Sequence, residues 1–408
     1  MSFPVSWSAR PLAQVVDVLD SRRVPVKASD RAARSGSVPY YGATGQAGWI
    51  DEPLFNEPLV LLGEDGAPFL DPYKPKAYLI DGPAWVNNHA HVLRARTGLD
   101  RRFLRYYLDY FDYRGFANGT TRLKLTQAAM RGIPVPTPPV GVQSRIVEII
   151  EDHLSRLEAG VGYIDKNLMR ASLMRRSAWE QRFASGSKLV PIASLVQKTE
   201  AGKSVGGAAP PARPGRWGII KVSAMTWGEF RPQENKEIPD VLADERFRIR
   251  LGDLLVSRAN TSELVGASVL VQVPPERLLL SDKSVRVVPR SEVLAEWLWR
   301  ALSAPSTRTQ MSAKATGTKD SMRNISQQAL LHIMVPDPSE RDQAADIQWA
   351  RELDVGVTRL QDQLGAQRGR ASSLRRAVLA AAFSGRLTGA ASDSDLIEET
   401  ADTLEGER

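Results

Sequence analysis

Two long stretches of the chain carry apolar residues in a helical rhythm, and they are copies of each other. The first runs from Gln143 to Phe183, and the second follows two hundred positions later, from Gln343 to Phe383. Steps of three and four predict a helix with one apolar seam. The seam positions are Ile146, Ile150, Leu154, Leu157, Val161, Ile164 and Leu168 in the first copy, and Leu353, Val357, Leu360, Leu364, Ala371, Leu374 and Val378 in the second.

The two seams share one phase, so the helices are suited to pair with each other. An antiparallel pair of helices of about 40 residues would extend for roughly 60 Å. Interior glycines each cost on the order of 1 kcal/mol relative to alanine, so neither helix should persist without a partner. These glycines are Gly160, Gly162, Gly356, Gly365 and Gly369. The alternative is a long helix buried on a single large domain, but the charged faces away from the seam favour the pair.

The segment before the first helix has the pattern of an α/β globule. Residues 7–18 indicate an entry strand or short helix, and Leu59–Leu62 a buried strand. Residues 85–93 alternate as one strand would, and Arg102–Phe111 has the apolar stripe of a helix. Three prolines between Val135 and Pro139 should turn the chain before the long helix begins.

The segment between the two long helices repeats this order with different loops. Residues 201–214 are rich in Gly, Ala and Pro and should form a mobile loop. Leu254–Ser257 indicates the buried strand, residues 279–288 match residues 86–95, and residues 293–302 indicate the matching helix. Repeated architecture with diversified loops is expected if the loops recognise different ligands.

These patterns divide the chain into five segments. We predict a first domain at residues 1–140, a first long helix at 141–187, a second domain at 188–338, a second long helix at 339–387 and a tail at 388–408. The fold class is therefore α+β: two similar α/β domains separated by two long antiparallel helices forming a coiled-coil spacer, with a pseudo-two-fold internal repeat.

Charge adds a functional hint. The formal net charge of the 408 residues is +7, but seven acidic residues against one arginine after Gly389 give the tail −6 and leave +13 for the rest. A basic body suggests nucleic acid as a partner, although charge alone is weak support. The acidic tail has little apolar content and is expected to be disordered. The chain has no cysteine, which excludes disulfides and cysteine-based metal sites.

Several short motifs, in this order along the chain, resemble the DNA-specificity (S) subunits of type I restriction–modification enzymes. They are residues 40–45 (YYGATG), 61–66 (LLGEDG), 86–91 (VNNHAH), 133–136 (IPVP) and 382–387 (AFSGRL). The resemblance covers the chain except for the acidic tail. It implies two target-recognition domains that each read one half of a bipartite double-stranded DNA site, with the paired helices as a spacer of fixed length.

The resemblance also implies that catalysis lies in other chains. Modification subunits, two in number, would bring S-adenosylmethionine and methylate adenine, and a restriction subunit would bring the ATP- and Mg-dependent translocase and nuclease. The long helices would be the docking face for the modification subunits. This chain would hold no cofactor or metal, and it would act in the cytoplasm of a bacterium or archaeon. No apolar run suggests a membrane span.

The candidate DNA-contacting residues lie in polar loops of both predicted domains. Aromatic, amide and hydroxyl groups suit base edges and sugars, and cations suit phosphates. In the first domain they are Tyr40, Tyr41, Thr44 and Gln46 for bases and Thr121, Arg122 and Lys124 for phosphate. In the second they are Ser223, Thr226, Trp227, Arg258, Asn260, Thr261 and Ser262 for bases and Lys314, Lys319 and Arg323 for phosphate. Core packing is the alternative for Tyr40 and Tyr41.

Other motifs are weaker. His89 and His91 would share one face of the predicted strand, but no third ligand stands at a suggestive spacing, so we expect structural roles. Residues 202–204 (GKS) end like a phosphate-binding loop, but that motif needs glycine where Gln197 stands. Three functions therefore remain: a non-catalytic DNA-specificity subunit, an enzyme acting on nucleic acid, and a helical scaffold, for example of a related anti-phage defence system. The sequence favours the first.

Overall fold

A computed structural model describes residues 3–185, 188–226, 228–273, 275–319, 322–387, 389 and 392–406, without the side chains of residues 318 and 319. Contacts group the chain into a first unit, residues 1–166 and 364–408, and a second unit, residues 167–363. Each long helix is thus divided between the units. The five-segment division drawn from the sequence stays a prediction. No helix in the described parts of the chain is long and apolar enough to span a bilayer.

The first 183 residues alternate short strands and helices before one long helix. In chain order they are β1 (Ala9–Pro11), α1 (Leu12–Val15), β2 (Val16–Val18), α2 (Ala28–Ala32), β3 (Val38–Gly42), β4 (Gly45–Ile50), β5 (Phe55–Asn56), β6 (Leu59–Gly63), β7 (Ala77–Ile80), β8 (Pro83–Val86), β9 (Ala90–Ala95), α3 (Arg101–Tyr110), β10 (Ala117–Asn118), β11 (Lys124–Leu125), α4 (Gln127–Arg131), β12 (Pro134–Pro136) and α5 (Val140–Phe183).

The rest of the chain repeats this order and adds helices α8 and α11. The elements are β13 (Leu189–Pro191), α6 (Ile192–Leu195), β14 (Val196–Ala201), β15 (Gly218–Ile220), β16 (Asn235–Glu237), β17 (Leu254–Ser257), β18 (Ala259–Asn260), β19 (Ser268–Leu270), β20 (Leu278–Leu279), β21 (Ser284–Pro289), α7 (Ala295–Ser303), α8 (Pro305–Lys314), β22 (Thr316–Lys319), β23 (Met322–Asn324), α9 (Gln327–Leu331), β24 (Met334–Pro336), α10 (Gln343–Phe383) and α11 (Asp393–Gly406).

The sheets repeat between the units. The first unit has a four-stranded sheet in the order β2-β9-β6-β7, and the second has β14-β21-β17-β19. A second sheet contains a parallel pair in each unit, β3 with β8 and β15 with β20. A short antiparallel pair, β1 with β12 and β13 with β24, closes each copy just before its long helix. The duplication predicted from the helices therefore extends to the globules.

The same glutamine fixes the start of each long helix. Gln143 is fully buried; its Oε1 accepts the Asp100 N–H at 2.8 Å and its Nε2 donates to the Gly98 and Pro138 carbonyls. In the second unit the Oε1 of Gln343 accepts the Leu294 N–H at 2.8 Å, and its Nε2 donates to the Glu292 carbonyl. The bonds to residues 98 and 100, and those to residues 292 and 294, tie each long helix to the residues just before α3 or α7.

The long helices are antiparallel in both units. In the first unit Arg368 lies 3.2 Å from Asp165 and Arg375 lies 3.7 Å from Glu158, so the partner number falls as the residue number rises. In the second unit the pairs Gln361–Ser172, at 3.1 Å, and Asp346–Arg182, at 2.5 Å, follow the same rule. The predicted antiparallel arrangement is confirmed within each unit.

The predicted seam holds with one correction. Ile150, Leu154 and Val357 are buried, but Leu360, which the heptad pattern placed in the seam, is 41% exposed. Gln361, its neighbour, turns to the facing helix instead and donates to the Ser172 hydroxyl. A polar pair therefore occupies this layer, and the apolar side chain of Leu360 faces outward.

Two other expectations were wrong. Residues 85–93 do not form one strand, because residues 87–89 make a turn between β8 and β9, which belong to different sheets. The matching residues 279–288 are likewise divided between β20 and β21. The tail, expected to be disordered, forms α11. Ile397 and Ala401 are buried in the core of the first unit, and Arg370 lies 2.6 Å from both Glu398 and Asp402.

Candidate nucleic-acid interface

The β3–β4 hairpin carries the first group of predicted contacts. Tyr40 is only 2% exposed and packs with Ile50 and Trp85, so core packing describes it in this structure. Tyr41 is half-buried, with its ring centroid 5.8 Å from that of Tyr78. Thr44 lies exposed in the turn of the hairpin, and Gln46 is exposed beside it. Thr44 and Gln46 are therefore the members of this group that are open to a ligand.

The end of β6 brings this hairpin to the second predicted loop. Gly63 lies so close to the hairpin that a Cβ there would stand 2.9 Å from the Ala43 carbonyl oxygen, which explains the glycine. Directly after it, Gly66 donates its N–H to the Leu123 carbonyl at 2.9 Å. The structure thus brings the hairpin turn and residues 121–124 to one edge of the first unit.

The two cations of that loop are already paired. Arg122 Nε lies 2.7 Å from Asp65 Oδ1, and Lys124 Nζ lies 3.2 Å from Glu64 Oε1. Both side chains remain more than half exposed, and Thr121 is exposed. A phosphate would have to share these cations with carboxylates, so the predicted role of Arg122 and Lys124 stays a prediction that the geometry does not favour.

A buried cluster lies beneath this edge. Asp20, Glu64 and His91 place one ligand atom each within 4.8 Å of the others. His91 Nδ1 lies 2.6 Å from Asp20 Oδ2, its Nε2 lies 2.9 Å from the Leu125 carbonyl oxygen, and Arg23 lies 2.7 Å from Glu64. Burial alone would raise the pKa of Asp20, but its hydrogen bonds, led by the one with His91, hold that pKa below its ordinary value. His91 thus connects the segments that contain Asp20 and Leu125, so its role in this structure is structural.

In the second unit the predicted residues around 223 directly follow Lys221 and Val222, which line a cleft. A 3-10 turn, Val222–Met225, follows β15. The Ser223 hydroxyl donates to Glu234 at 2.7 Å, and the Thr226 hydroxyl donates to the Val222 carbonyl at 3.2 Å. Both polar groups therefore have partners within the unit. Trp227 lies outside the described residues.

The loop after β17 also lines this cleft, through Arg258, Ala259 and Asn260. Asn260 pairs with Arg323 across the β18–β23 strands, and its Oδ1 accepts the Thr261 N–H at 2.9 Å. Arg323 donates to the Gly317 carbonyl at 2.9 Å. The Ser312 hydroxyl donates to the Ser262 carbonyl, which places the end of α8, and with it the exposed Lys314, beside this loop. Lys319 contributes its backbone to β22, and its side chain is outside the described part of the chain.

The cleft itself consists of two adjoining volumes of about 420 and 280 Å³. They share Val222, Asp282 and Lys283; Arg258 and Asn260 line the larger volume, and Lys221 lines the smaller. Among the described residues, no carboxylate oxygen lies within 4 Å of the Arg258, Lys221 or Lys283 side chains. Three cations without a carboxylate partner among the described residues therefore meet at this cleft, and Asp282 is the one acid among its described lining residues.

Lys221 and Lys283 were not predicted from the sequence. Lys283 belongs to the polar triplet Ser281–Asp282–Lys283, which interrupts an apolar segment between β20 and β21. That interruption marks a turn and could have singled it out. Lys221 follows β15 directly, and only the fold shows that it faces the same cleft. Its convergence with Arg258 across 37 positions has no sequence signal.

Comparison with known proteins shows what parts of this chain are similar to. Residues 4–161 match the sequence model of the type I restriction modification DNA specificity domain. A protein of Haemophilus influenzae named as a type I restriction enzyme specificity subunit is 37% identical over 147 residues, which is 36% of this chain and 37% of that protein. The EcoEI specificity subunit of Escherichia coli is 32% identical over 143 residues, 34% of this chain and 24% of that protein. The matched stretch thus spans little more than a third of the first relative.

A solved structure shows the same fold over a greater length. A chain from a study of complex assembly and conformational transition of the type I R-M system has a TM-score of 0.65 and 15% identity, and the alignment covers 95% of this chain and 100% of that one. At this identity the likeness concerns the fold alone. The sequence similarity to the type I restriction modification DNA specificity domain therefore covers residues 4–161, and beyond them the likeness to proteins of type I R-M systems is one of fold.

Proposed function

We propose that this chain recognises a bipartite double-stranded DNA target and directs adenine methylation, and restriction where that subunit is present, by partner subunits in the cytoplasm of a bacterium or archaeon. The observation that carries the proposal is the second-unit cleft, where Arg258, Lys221 and Lys283 meet without a carboxylate within 4 Å among the described residues. Such a set of cations suits the phosphates of DNA. The family supports the rest, in which each unit reads one half of the target.

In this proposal the chain positions DNA and leaves the chemistry to its partners. Amide and hydroxyl groups near the cleft, such as Asn260 and Thr261, would read base edges, while the cations set the register on the backbone. Two modification subunits would bring S-adenosylmethionine, and a restriction subunit would bring ATP and Mg. The chain itself would be non-catalytic.

The test is DNA binding by the full chain in a salt titration. Replacing Arg258 with Gln, or Lys283 with Gln, should weaken binding to all sequences alike and lower the salt slope by about one unit for each lost phosphate contact. Arg213→Gln is the matched control, because this arginine is already paired with Glu237. Equal affinities and slopes for all four proteins, or binding that does not depend on salt, would count against the proposal.

The long helices carry a surface that fits docking of the modification subunits. Met169, Leu173 and Met174 on α5 are 63%, 54% and 51% exposed, and Val355 and Leu360 on α10 are 59% and 41% exposed. All five lie in the second unit. Exposed apolar side chains grouped on an element often mark a protein interface. We include this surface in the proposed function as the contact for a modification subunit.

Replacing Leu173 with Glu should greatly reduce co-purification of the modification subunits, because a charge would be buried in the contact. DNA binding by the isolated chain should stay unchanged. Leu251→Glu is the control, since Leu251 is 61% exposed in the same unit but lies outside the long helices. If Leu173→Glu co-purified as well as the control, the docking surface would lie elsewhere.

A further inference from the structure

The first unit contains a cleft that the proposed function does not use. It has a volume of about 500 Å³, and its lining includes Phe69, Tyr73, Lys76, Phe111, Arg376 and Leu404. These residues come from the segment between β6 and β7, the end of α3, the last third of α10 and the end of α11. None of them is a predicted DNA contact.

Lys76 is the first unusual feature of this cleft. The residue is only 2% exposed. Its Nζ donates to the Asp71 carbonyl oxygen at 2.5 Å, and within the described parts of the chain no carboxylate oxygen lies within 4 Å of it. Burial lowers the pKa of this ammonium group to about 8. A buried cation without an ion-pair partner is costly, and such groups concentrate at binding sites.

Arg376 is the second unusual feature of this cleft. It extends from α10, stacks on the Tyr110 ring with its Cζ 4.3 Å from the centroid, and donates to the Tyr110 carbonyl at 2.7 Å. Again, no carboxylate oxygen among the described residues lies within 4 Å of its guanidinium. Desolvation lowers the pKa of this group from its ordinary value.

The remaining charges at the cleft cancel each other. Arg114 Nε lies 2.8 Å from Asp112 Oδ2 and its Nη2 lies 2.6 Å from the same oxygen, so this pair is neutral. The lining therefore carries two positive charges, on Lys76 and Arg376, that nothing in the lining balances. The opposite walls are apolar, with Phe69, Phe111 and the exposed Leu70 among them.

We propose that this cleft binds a phosphomonoester, the dianionic end group of a nucleotide, between Lys76 and Arg376. A dianion balances the two charges, and guanidinium and ammonium groups are the usual side-chain partners of phosphate. The aromatic and aliphatic walls would contact the base or sugar. The volume falls in the range of about 300–1,000 Å³ that is typical of small-ligand sites. The inference stands apart from recognition of the DNA target.

Calorimetry on the full chain tests the proposal with adenosine 5′-monophosphate, inorganic phosphate and adenosine. The monophosphate should bind, inorganic phosphate should bind more weakly because it does not fill the apolar walls, and adenosine should not bind measurably. An oligonucleotide with a 5′-phosphate, compared with its 5′-hydroxyl form, shows whether the phosphomonoester comes from a free nucleotide or from a DNA end. No binding of the monophosphate at about 10 mM, or equal binding of adenosine, would overturn the proposal.

Two variants locate the site. Arg376→Gln should weaken monophosphate binding by about tenfold or more, because it removes a charge-assisted contact. Leu70→Glu should weaken it as well by placing a negative charge at the rim; Leu70 is 54% exposed, so this variant should fold even if the other does not. The control is Arg368→Gln on the same helix, where the arginine pairs with Asp165. Unchanged affinity in Leu70→Glu and in folded Arg376→Gln would refute the assignment.

The pH dependence gives an independent readout. Affinity should fall as pH rises through about 8, where Lys76 loses its proton. Asp109 and Asp71 favour the protonated form of Lys76, whereas Arg376 and Arg375 disfavour it. Like Asp109 and Asp71, a bound dianion favours the protonated form of Lys76. Binding at alkaline pH should therefore be accompanied by proton uptake on this lysine, and the measured binding enthalpy should then depend on the buffer. Affinity that stayed constant from neutral pH to about pH 9 would contradict a role for Lys76.

Discussion

Asp346 illustrates how one carboxylate can hold several segments together. It is 2% exposed and lies 2.5 Å from Arg182 of α5 and 2.8 Å from Arg341, while Trp297 of α7 donates to it at 3.0 Å. Both long helices and the globule of the second unit therefore meet at this residue. Burial alone would raise its pKa, but Arg341, Trp297 and Arg182 together hold the pKa below its ordinary value.

Replacing Asp346 with Asn should lower the free energy of unfolding by about 3 kcal/mol at pH 7, because two arginines lose a buried carboxylate. Because the folded pKa lies below the ordinary value of 3.8, the stabilisation is present above that pH and is lost as pH falls through the folded pKa. Urea unfolding of wild type and variant at several pH values measures both effects. Asp362→Asn, at an exposed position of α10, is the control.

At this scale the sequence predicts which residues can bind an anion but not which are free to do so. Arg122 and Arg258 both lie in polar loops, and the sequence proposed Arg122 for phosphate and Arg258 for base edges. The fold pairs Arg122 with Asp65, 57 positions away, whereas no carboxylate oxygen of the described residues lies within 4 Å of the Arg258 guanidinium nitrogens in the cleft. Nothing in the sequence indicated that Lys76 is buried or could bind an anion, because its burial depends on packing across α3 and α10.

Single elements were predictable where the pattern was long. The second long helix begins and ends at the predicted residues, and the first begins three residues early. Predictions from shorter patterns were wrong where a local turn or the local composition decided the structure. Asn87 Oδ1 accepts the His89 N–H at 2.8 Å, and this turn divides the predicted strand. In the tail, Ile397, Ala401 and Leu404 do form a helical stripe, but the acidic composition concealed it.

Glycine in the long helices offers a test at this scale. A Cβ at Gly160, Gly162, Gly356, Gly365 or Gly369 would meet nothing within 4 Å. Replacing Gly160 and Gly365 with Ala should therefore raise the free energy of unfolding by about 1 kcal/mol each, through helix propensity alone. Thermal unfolding measures the gain. Gly63→Ala is the contrasting variant and should destabilise, because its Cβ would lie 2.3 Å from the Ala67 Cβ.

For the whole molecule the decisive signal was the repeat. The offset of two hundred residues between Gln143 and Gln343 predicted two copies of one architecture, and the sheet orders of the two units match. The sequence could not predict how the contacts divide, since residues 364–408 join the first unit while residues 167–183 join the second. That division depends on contacts between residues far apart in the chain.

If the long helices set the gap between half-sites, as the proposed function requires, lengthening both should widen it. Seven residues inserted in each helix, after Lys166 and after Gln363, would preserve the seam and add roughly 10 Å. At about 3.4 Å per base pair the preferred gap should grow by about three base pairs. Mapping methylated adenines in a host with the lengthened chain measures the gap. An unchanged gap would show that the helices do not set it.

The division of the chain has a consequence for synthesis. The second unit is continuous, whereas the first needs residues 1–166 together with residues 364–408. Residues 1–166 must therefore wait for the synthesis of residues 364–408 before the core of the first unit can close, whereas the second unit, residues 167–363, is complete earlier. A chain released before residue 364 would have a folded second unit, but residues 1–166 would lack part of their core. Proteases should therefore cleave such a chain within residues 1–166.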